Sequence, residues 1–255
     1  MLIKARNAVV RIIEKRYDIK ITRNRFPRDM GQPFEAIYRK CAPYSMVSVE
    51  RMYALYQAVE YVVKSGISGD LVECGVWKGG SSMCMAHSLL NNGVADRTLY
   101  LYDTYEGMPM PSAKDRRLEN GTPALEDWQA WQKGGRNEWA YSPIEEVRQN
   151  MASTGYPEGR IVYVKGLVEK TIPATRPASI ALLRLDTDWY ESTLHELVHL
   201  FPLLSTGGVF IVDDYGHFSG SREAVDEYFS NQKISILLNR IDYSGRLGIK
   251  WSPGL

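Results

Sequence analysis

From residue 70 onward, short apolar runs alternate with amphipathic stretches, and this alternation restricts the chain to few architectures. LVECGVW, TLYLYDTY, RIVYVKG, IALLRLDTD and GGVFIVDDYG read as strands. GSSMCMAHSLL, IEEVRQNMAST, ESTLHELVHLF and SREAVDEYFS read as helices. Parallel strands need a crossover, usually helical, so the pattern predicts an α/β fold with a doubly wound, mostly parallel sheet. The tail from ISILLNRI to GIKW reads as two more strands joined near Ser244-Gly245, which would add an antiparallel edge. Ser142-Pro143-x-Glu145 has the form of a capping box with proline at the first helical position.

The flanks are different. Residues 1–44 carry Leu2, Val9, Ile12 and Ile13 at helical spacing with Lys and Arg between them. This basic amphipathic helix is read as packing on the main domain or on a second subunit, ahead of the membrane-surface alternative. A further helix carries Met52, Leu55, Tyr56, Val59, Val62 and Val63, with Ser48 as N-cap and Gly66 as stop. The organisation is therefore an N-terminal helical extension, 1–44, before one domain, 45–255, and a homodimer is expected from the N-terminal helices. Within that domain, 107–141 holds three tryptophans and three prolines without a strand pattern. A connection this long following a strand reads as a substrate lid.

Charge and cysteines narrow the setting. With 31 basic against 30 acidic residues the net charge is +1, too little for a protein that lives on phosphate neutralisation, so no nucleic-acid partner is expected. No apolar run reaches the length of a membrane span. Lys4, Arg6 and Arg11 interrupt any signal-peptide core, and three unpatterned cysteines suit a reducing, cytoplasmic location.

Chemistry concentrates where the strands end. In an open α/β sheet, ligands bind outside the carboxyl ends of the strands. There the chain places Glu73-Cys-Gly75, Asp103, Asp186-Thr-Asp188 and Asp213-Asp214. ECGVWKGGSS is a glycine loop between strand and helix, matching neither G-x-G-x-x-G nor the P-loop. With Asp103 able to accept from ribose hydroxyls, the arrangement suits S-adenosylmethionine as well as a dinucleotide. Asp186 and Asp188 share a face if extended. Four converging carboxylates repel unless a cation compensates them, and oxygen-only ligands suit Mg²⁺ or Ca²⁺, with Mg²⁺ favoured by few protein ligands. The alternative is that some of these acids cap helices.

His195-Glu196-Leu197-Val198-His199 matches the zinc-protease H-E-x-x-H helix. Leu194, Leu197, Val198 and Phe201 form a stripe expected to face the sheet, so the segment reads as a crossover helix. A zinc metallopeptidase, with Glu223 or His217 as third ligand, is the alternative enzyme. A non-catalytic donor-binding protein is another, against which the complete acid set argues.

LVECGVWKGGSS, LYDTYEGMP, LLRLDTDWYEST and GGVFIVDDYGHFSGSREAVDEY, in this order over roughly residues 45–235, resemble the macrocin-type O-methyltransferases of antibiotic biosynthesis. That family includes the macrocin, mycinamicin and novobiocin sugar O-methyltransferases. The resemblance implies a seven-stranded, Rossmann-like class I methyltransferase sheet, S-adenosylmethionine as donor, Mg²⁺, and a small-molecule sugar or glycoside acceptor. Carried over, it implies Glu73, Gly75, Gly79 and Ser81 around the methionine part of the donor and Asp103 on its ribose. Met46 falls in a segment that closes over the donor. Asp186, Asp213 and Asp214 fall on the metal ligands, and Asp188 on the general base. Residues 1–44 and the tryptophan-rich insert match no familiar acceptor region.

Overall fold

The computed structural model describes residues 26–251, and the basic helix expected near the N-terminus lies outside them. The chain divides into two compact units, Met1–Glu35 and Ala36–Leu255. Helix α1 (Gly31–Cys41) crosses that division, and the second unit holds the whole sheet. In α2 (Val49–Lys64) the Ser48 hydroxyl accepts from Arg51 N at 3.1 Å, the expected N-cap, and Gly66 follows at φ 64°. Met52, Leu55, Ala58, Val59 and Val62 recur at helical spacing and are buried.

The rest of the chain alternates as its patterning predicts. In order come β1 (Asp70–Cys74), α3 (Gly80–Asn91), β2 (Leu99–Asp103), and an insert with α4 (Ala124–Ala130) and the hairpin β3 (Gln132–Lys133) and β4 (Arg136–Asn137). Then follow α5 (Ile144–Ala152), β5 (Ile161–Lys165), α6 (Val168–Thr171), β6 (Ile180–Leu185) and α7 (Tyr190–Leu200). The chain ends its regular structure with β7 (Leu204–Val212), α8 (Ser219–Asn231), β8 (Asn239–Arg240) and β9 (Arg246–Ile249). Seven strands form one sheet in the order β5-β2-β1-β6-β7-β9-β8. All pairings are parallel except β7 with β9 and β9 with β8. From β1 the chain winds to β2 and β5 on one side, then returns to β6 and β7 on the other. The crevice between β1 and β6 is the switch point, where such sheets take their ligands.

Two faces of the sheet have different covers. On one, Val72, Cys74, Leu183, Leu185, Phe210 and Val212 form a dry core with Leu197 and Leu200 of α7 and Val225, Tyr228 and Phe229 of α8. Phe201, Phe210 and Phe229 meet there in edge-to-face pairs, an arrangement that adds about 0.5–1.5 kcal/mol per pair beyond burial. On the other face, toward α2 and α3, the register pairs Glu73 with Arg184 and Arg184 with Ile211. Alternation then carries charge across buried strand ends on that face. It is the face that builds the site.

Two local expectations are corrected. Helix α5 starts at Ile144 with Pro143 at the N-cap position, one residue later than Ser142 capping would require. The Ser142 hydroxyl instead donates to the Glu146 carboxylate at 2.9 Å. At the tail, the strand expected over ISILLNRI shrinks to Asn239–Arg240, because β8 pairs only with β9 and is exposed.

Gly75 ends β1 at φ 84°, and a Cβ there would stand 1.9 Å from the Asp186 carbonyl oxygen. Gly75→Ala should therefore destabilise the fold by about 3 kcal/mol or more, combining overpacking with a left-handed backbone. Urea unfolding followed by circular dichroism measures it, whereas Gly155→Ala, with open space at its Cβ, should cost clearly less.

Candidate active site

Beyond β1 the chain turns through Gly75, Val76 and Trp77 before Gly79, at φ 89°, caps α3. The carboxylate that ends β2 fixes this turn. Asp103 Oδ2 accepts from Val76 N at 2.7 Å and Trp77 N at 3.0 Å, and Oδ1 accepts from Tyr105 N at 2.6 Å. Burial pushes Asp103 above the usual carboxylate range, while these amides pull the other way. The acid read from sequence as a ribose partner thus first holds the glycine turn, with its remaining lone pairs on the cleft. Glu73, Gly75, Ser81, Asp103 and the exposed Met46 all line this cleft; Gly79 stands behind it, and Gly80 takes its place in the wall. A Cβ on Gly80 would lie 2.5 Å from the Tyr44 carbonyl oxygen, so the segment before α2 closes directly on the first turn of α3.

On the other side of the switch point lie the remaining acids. The strand β6 ends at Leu185, and Asp188 has φ 65°, so Asp-Thr-Asp is a turn rather than an extended strand. The expected shared face of Asp186 and Asp188 is overturned in its reason, since the turn, not the strand period, brings them together. Carboxylate oxygens of Asp186, Asp188 and Asp214 lie within 4.8 Å of one another. Asp213 stands apart in its partners. It accepts from Arg184 Nη2 at 2.6 Å and from Arg51 Nη1.

Two guanidiniums hold this anionic ground. Arg184, 2 % exposed, reaches Glu73 at 2.6 Å, Asp186 at 2.7 Å and Asp213 at 2.6 Å. Ser82 donates to the second Glu73 oxygen. Arg51 bridges Asp213 and Asp242, the latter at 3.0 Å from Nε. Burial alone would lower both arginines, but the surrounding carboxylates raise them, so both stay charged. Neither reaches Asp188 or Asp214, which form no ion pair among the described residues. Burial and mutual repulsion raise Asp186 and Asp214 well above the usual carboxylate range. For Asp188, burial pushes the carboxyl up to about 7, with Asp186 and Asp213 adding to it and its hydrogen bond to Asp214 opposing. Three carboxylates with oxygen-only donors and incomplete compensation fit a hard divalent cation such as Mg²⁺.

The insert 107–141 forms the outer wall. Its Asp115, 1 % exposed, accepts from Ser112 N and Oγ at 2.7 Å each and from Tyr190 N at 2.8 Å, at the start of α7. Trp189 Nε1 donates to the Pro109 carbonyl at 3.0 Å, and Leu118 N donates to the His217 carbonyl at 2.8 Å. Trp139 packs edge-on against Trp189 and near Phe218. Trp139, Phe218, His217 and Tyr243, with Met108, line the cleft beside the acids as a largely aromatic wall.

The histidine motif is elsewhere. His195 Nε2 sits 2.9 Å from the Ile172 carbonyl oxygen, and Glu196, fully buried, takes the Thr187 hydroxyl at 3.1 Å. Glu223 pairs with Lys114 at 2.6 Å, and His217 lines the cleft of the acids. Of the expected stripe, Leu197 and the following Phe201 are buried and Leu194 packs against the core, but Val198 is exposed, and Thr193, Glu196 and Leu200 complete the buried face.

A mostly parallel sheet of this order, with a glycine turn after β1 and an acid closing β2, is the class I methyltransferase fold, and its relatives make the protein an S-adenosylmethionine-dependent O-methyltransferase. The family model for macrocin O-methyltransferase (TylF) matches residues 3–250. The 8-demethyl-8-(2,3-dimethoxy-alpha-L-rhamnosyl)-tetracenomycin-C 4'-O-methyltransferase of Streptomyces olivaceus is 33% identical over 86% of this chain and 78% of its own. The demethyldecarbamoylnovobiocin O-methyltransferase of Streptomyces niveus is 34% identical over 82% and 75%. The solved O-methyltransferase NovP superposes with a TM-score of 0.72 at 31% identity, covering 82% of this chain and 83% of that one. The chain belongs to the macrocin O-methyltransferase family.

Two outcomes follow from this geometry. Arg184→Met should cost about 3–5 kcal/mol in urea unfolding, since it strands Glu73, Asp186 and Asp213 as buried charges. His199→Ala should leave methyl transfer intact and the purified protein free of zinc by elemental analysis. Stoichiometric zinc that disappears in the variant would restore the peptidase reading.

Proposed function

We propose that the protein methylates a sugar hydroxyl of a glycosylated natural product, with the acceptor held between the acid cluster and the aromatic wall. The observation that carries this reading is the crevice itself, where Asp186, Asp188 and Asp214 converge beside the donor-side glycine turn. The relatives support the acceptor class, being O-methyltransferases of a rhamnosyl-tetracenomycin C, of demethyldecarbamoylnovobiocin and of mycinamicin III. Aromatic rings such as Trp139 and the exposed Tyr243 suit the apolar side of a sugar ring or of an aglycone.

In this reading Glu73, Gly75, Gly79, Ser81 and Asp103 shape the donor site, and Met46 closes over it. Asp186 and Asp214 would hold Mg²⁺, with Asp213 joining them where Arg51 gives up its oxygen, while Asp188 beside them keeps its carboxylate for the proton. Mg²⁺ held there would supply Lewis acidity that lowers the pKa of an acceptor hydroxyl. Asp188 takes the hydroxyl proton as the oxygen forms its bond to the methyl carbon and the carbon–sulfur bond of the donor breaks. A carboxyl held near 7 is well matched to that task at neutral pH. The sign is fixed by its role. A base must be ionised, so turnover should fall as pH drops through about 7 or somewhat below it, where Asp188 takes up its own proton. Holding donor and acceptor in line removes much of the remaining barrier.

Single-turnover methyl transfer to a glycosylated acceptor, across a Mg²⁺ titration, tests these roles. Asp186→Asn should lose activity that high Mg²⁺ partly restores. Asp188→Asn should lose about 10²–10⁴ in rate, lack the acid limb of the pH profile, and gain nothing from extra Mg²⁺. S-adenosylhomocysteine should still raise its melting temperature. Normal turnover in Asp188→Asn would remove Asp188 as the base.

A further inference from the structure

The acid cluster already contains a cation of its own. Arg51 extends from the first turn of α2, and its guanidinium lies between Asp213 and Asp242. Asp242 is a built anchor. It accepts from Ser48 Oγ at 2.7 Å, from Ser244 N at 2.8 Å and from Gly245 N at 2.8 Å, and these contacts with Arg51 hold it below the usual carboxylate range despite burial. Asp213 is less free still. One of its oxygens takes Arg184 and the other takes Arg51, so both are engaged by guanidinium. Of the four clustered aspartates, Asp213 alone is missing from the group whose oxygens converge within 4.8 Å.

We infer that Arg51 is a resident counter-cation that competes with the divalent ion for Asp213 and so lowers the affinity of the cluster for metal. The inference rests on the reading of the cluster as a divalent-cation site, and it names what that site must displace. A guanidinium one carboxylate away from an arriving Mg²⁺ opposes it by Coulomb repulsion, and the oxygen it occupies is denied to the metal. Asp242 remains as a second partner on which the guanidinium can stay when Asp213 is released. The exchange therefore needs no charge to leave the protein. Because Arg51 follows the 44–47 segment that lines the donor side, metal loading and the donor wall share one short stretch of chain.

Mn²⁺ binding to the full chain, read from the loss of the free-ion paramagnetic resonance signal, separates the possibilities. Arg51→Gln should bind Mn²⁺ roughly tenfold or more tightly than the unaltered protein. Arg51→Lys keeps the charge but reaches less far and cannot bridge two carboxylates, so it should fall between them. In chelator, Arg51→Gln should melt lower than the unaltered protein, and saturating Mn²⁺ should restore more of its stability. If Arg51→Gln does not fold in chelator, tighter binding by Arg51→Lys alone supports the inference. Binding that is unchanged or weaker in the folded variants, while the unaltered protein does bind Mn²⁺, overturns it and leaves the metal reading standing. No Mn²⁺ binding by any of the proteins overturns both.

Discussion

Arg184 occupies a position that few proteins would give to a charge. It lies in the middle of a parallel sheet, on a strand whose six residues are all buried, with three carboxylates around its guanidinium. Removing such ions from water costs several kcal/mol apiece, and only close pairing with satisfied hydrogen bonds offsets it. The pairing here spans three neighbouring strands, β1 through Glu73, β6 through Arg184 itself and the end of β7 through Asp213. Each strand end is thereby held at a fixed height relative to the next. The glycine turn after β1, the Asp-Thr-Asp turn after β6 and the Asp213-Asp214 pair after β7 all begin from that common base. The site is a consequence of how three strand ends are tied together, before any ligand is considered.

This arrangement also explains the unequal condition of the acids. Asp213 is engaged by both guanidiniums, Asp186 by Arg184 alone and still pushed up by burial and its neighbours, whereas Asp188 and Asp214 have no guanidinium and hydrogen-bond each other. Compensation thus changes within a few ångströms, from Asp213, held by two guanidiniums, to Asp188 and Asp214, which neither guanidinium reaches. A substrate oxygen or a hard cation entering the crevice meets there the carboxylates least satisfied by the protein. A general base needs that kind of environment, and a structural ion pair does not.

Much of this was legible in the sequence because it is local. Strand ends carrying Glu73, Asp103, Asp186 and Asp213 show up as acids after apolar runs, and Gly75 and Gly79 mark a turn that only left-handed backbone can make. The doubly wound, mostly parallel character of the sheet follows from the alternation, whereas its strand order does not. What could not be read depends on residues brought together from far apart. Arg51 and Arg184 look like an ordinary helix cation and an interruption in a strand until register sets them beside Asp213. The parity of Glu73 and Arg184 was available as a hint, since a charge inside an apolar strand needs a partner on the same face. The capping motif at Ser142 failed because two side chains, Ser142 and Glu146, satisfied each other in place of the backbone. Asp103 stands at the end of β2 as its spacing suggests, yet its work on the Val76 and Trp77 amides depends on a turn whose shape no spacing rule supplies.

The way the insert is fastened bears on how such an enzyme can change its acceptor over evolutionary time. Asp115 serves the insert and the first turn of α7 together, and a Cβ on Gly220 of α8 would collide with it at 1.8 Å. Exchanging the whole insert for that of a relative would therefore unseat two helices that lead out of the catalytic strand ends. The hairpin of β3 and β4 carries no such obligation at its tip, where Gly134 and Gly135 have open space around them. Natural variation and laboratory chimeras alike should find their freedom in that tip and in the residues facing the aromatic wall, while the root of the insert drifts only together with the helices it anchors.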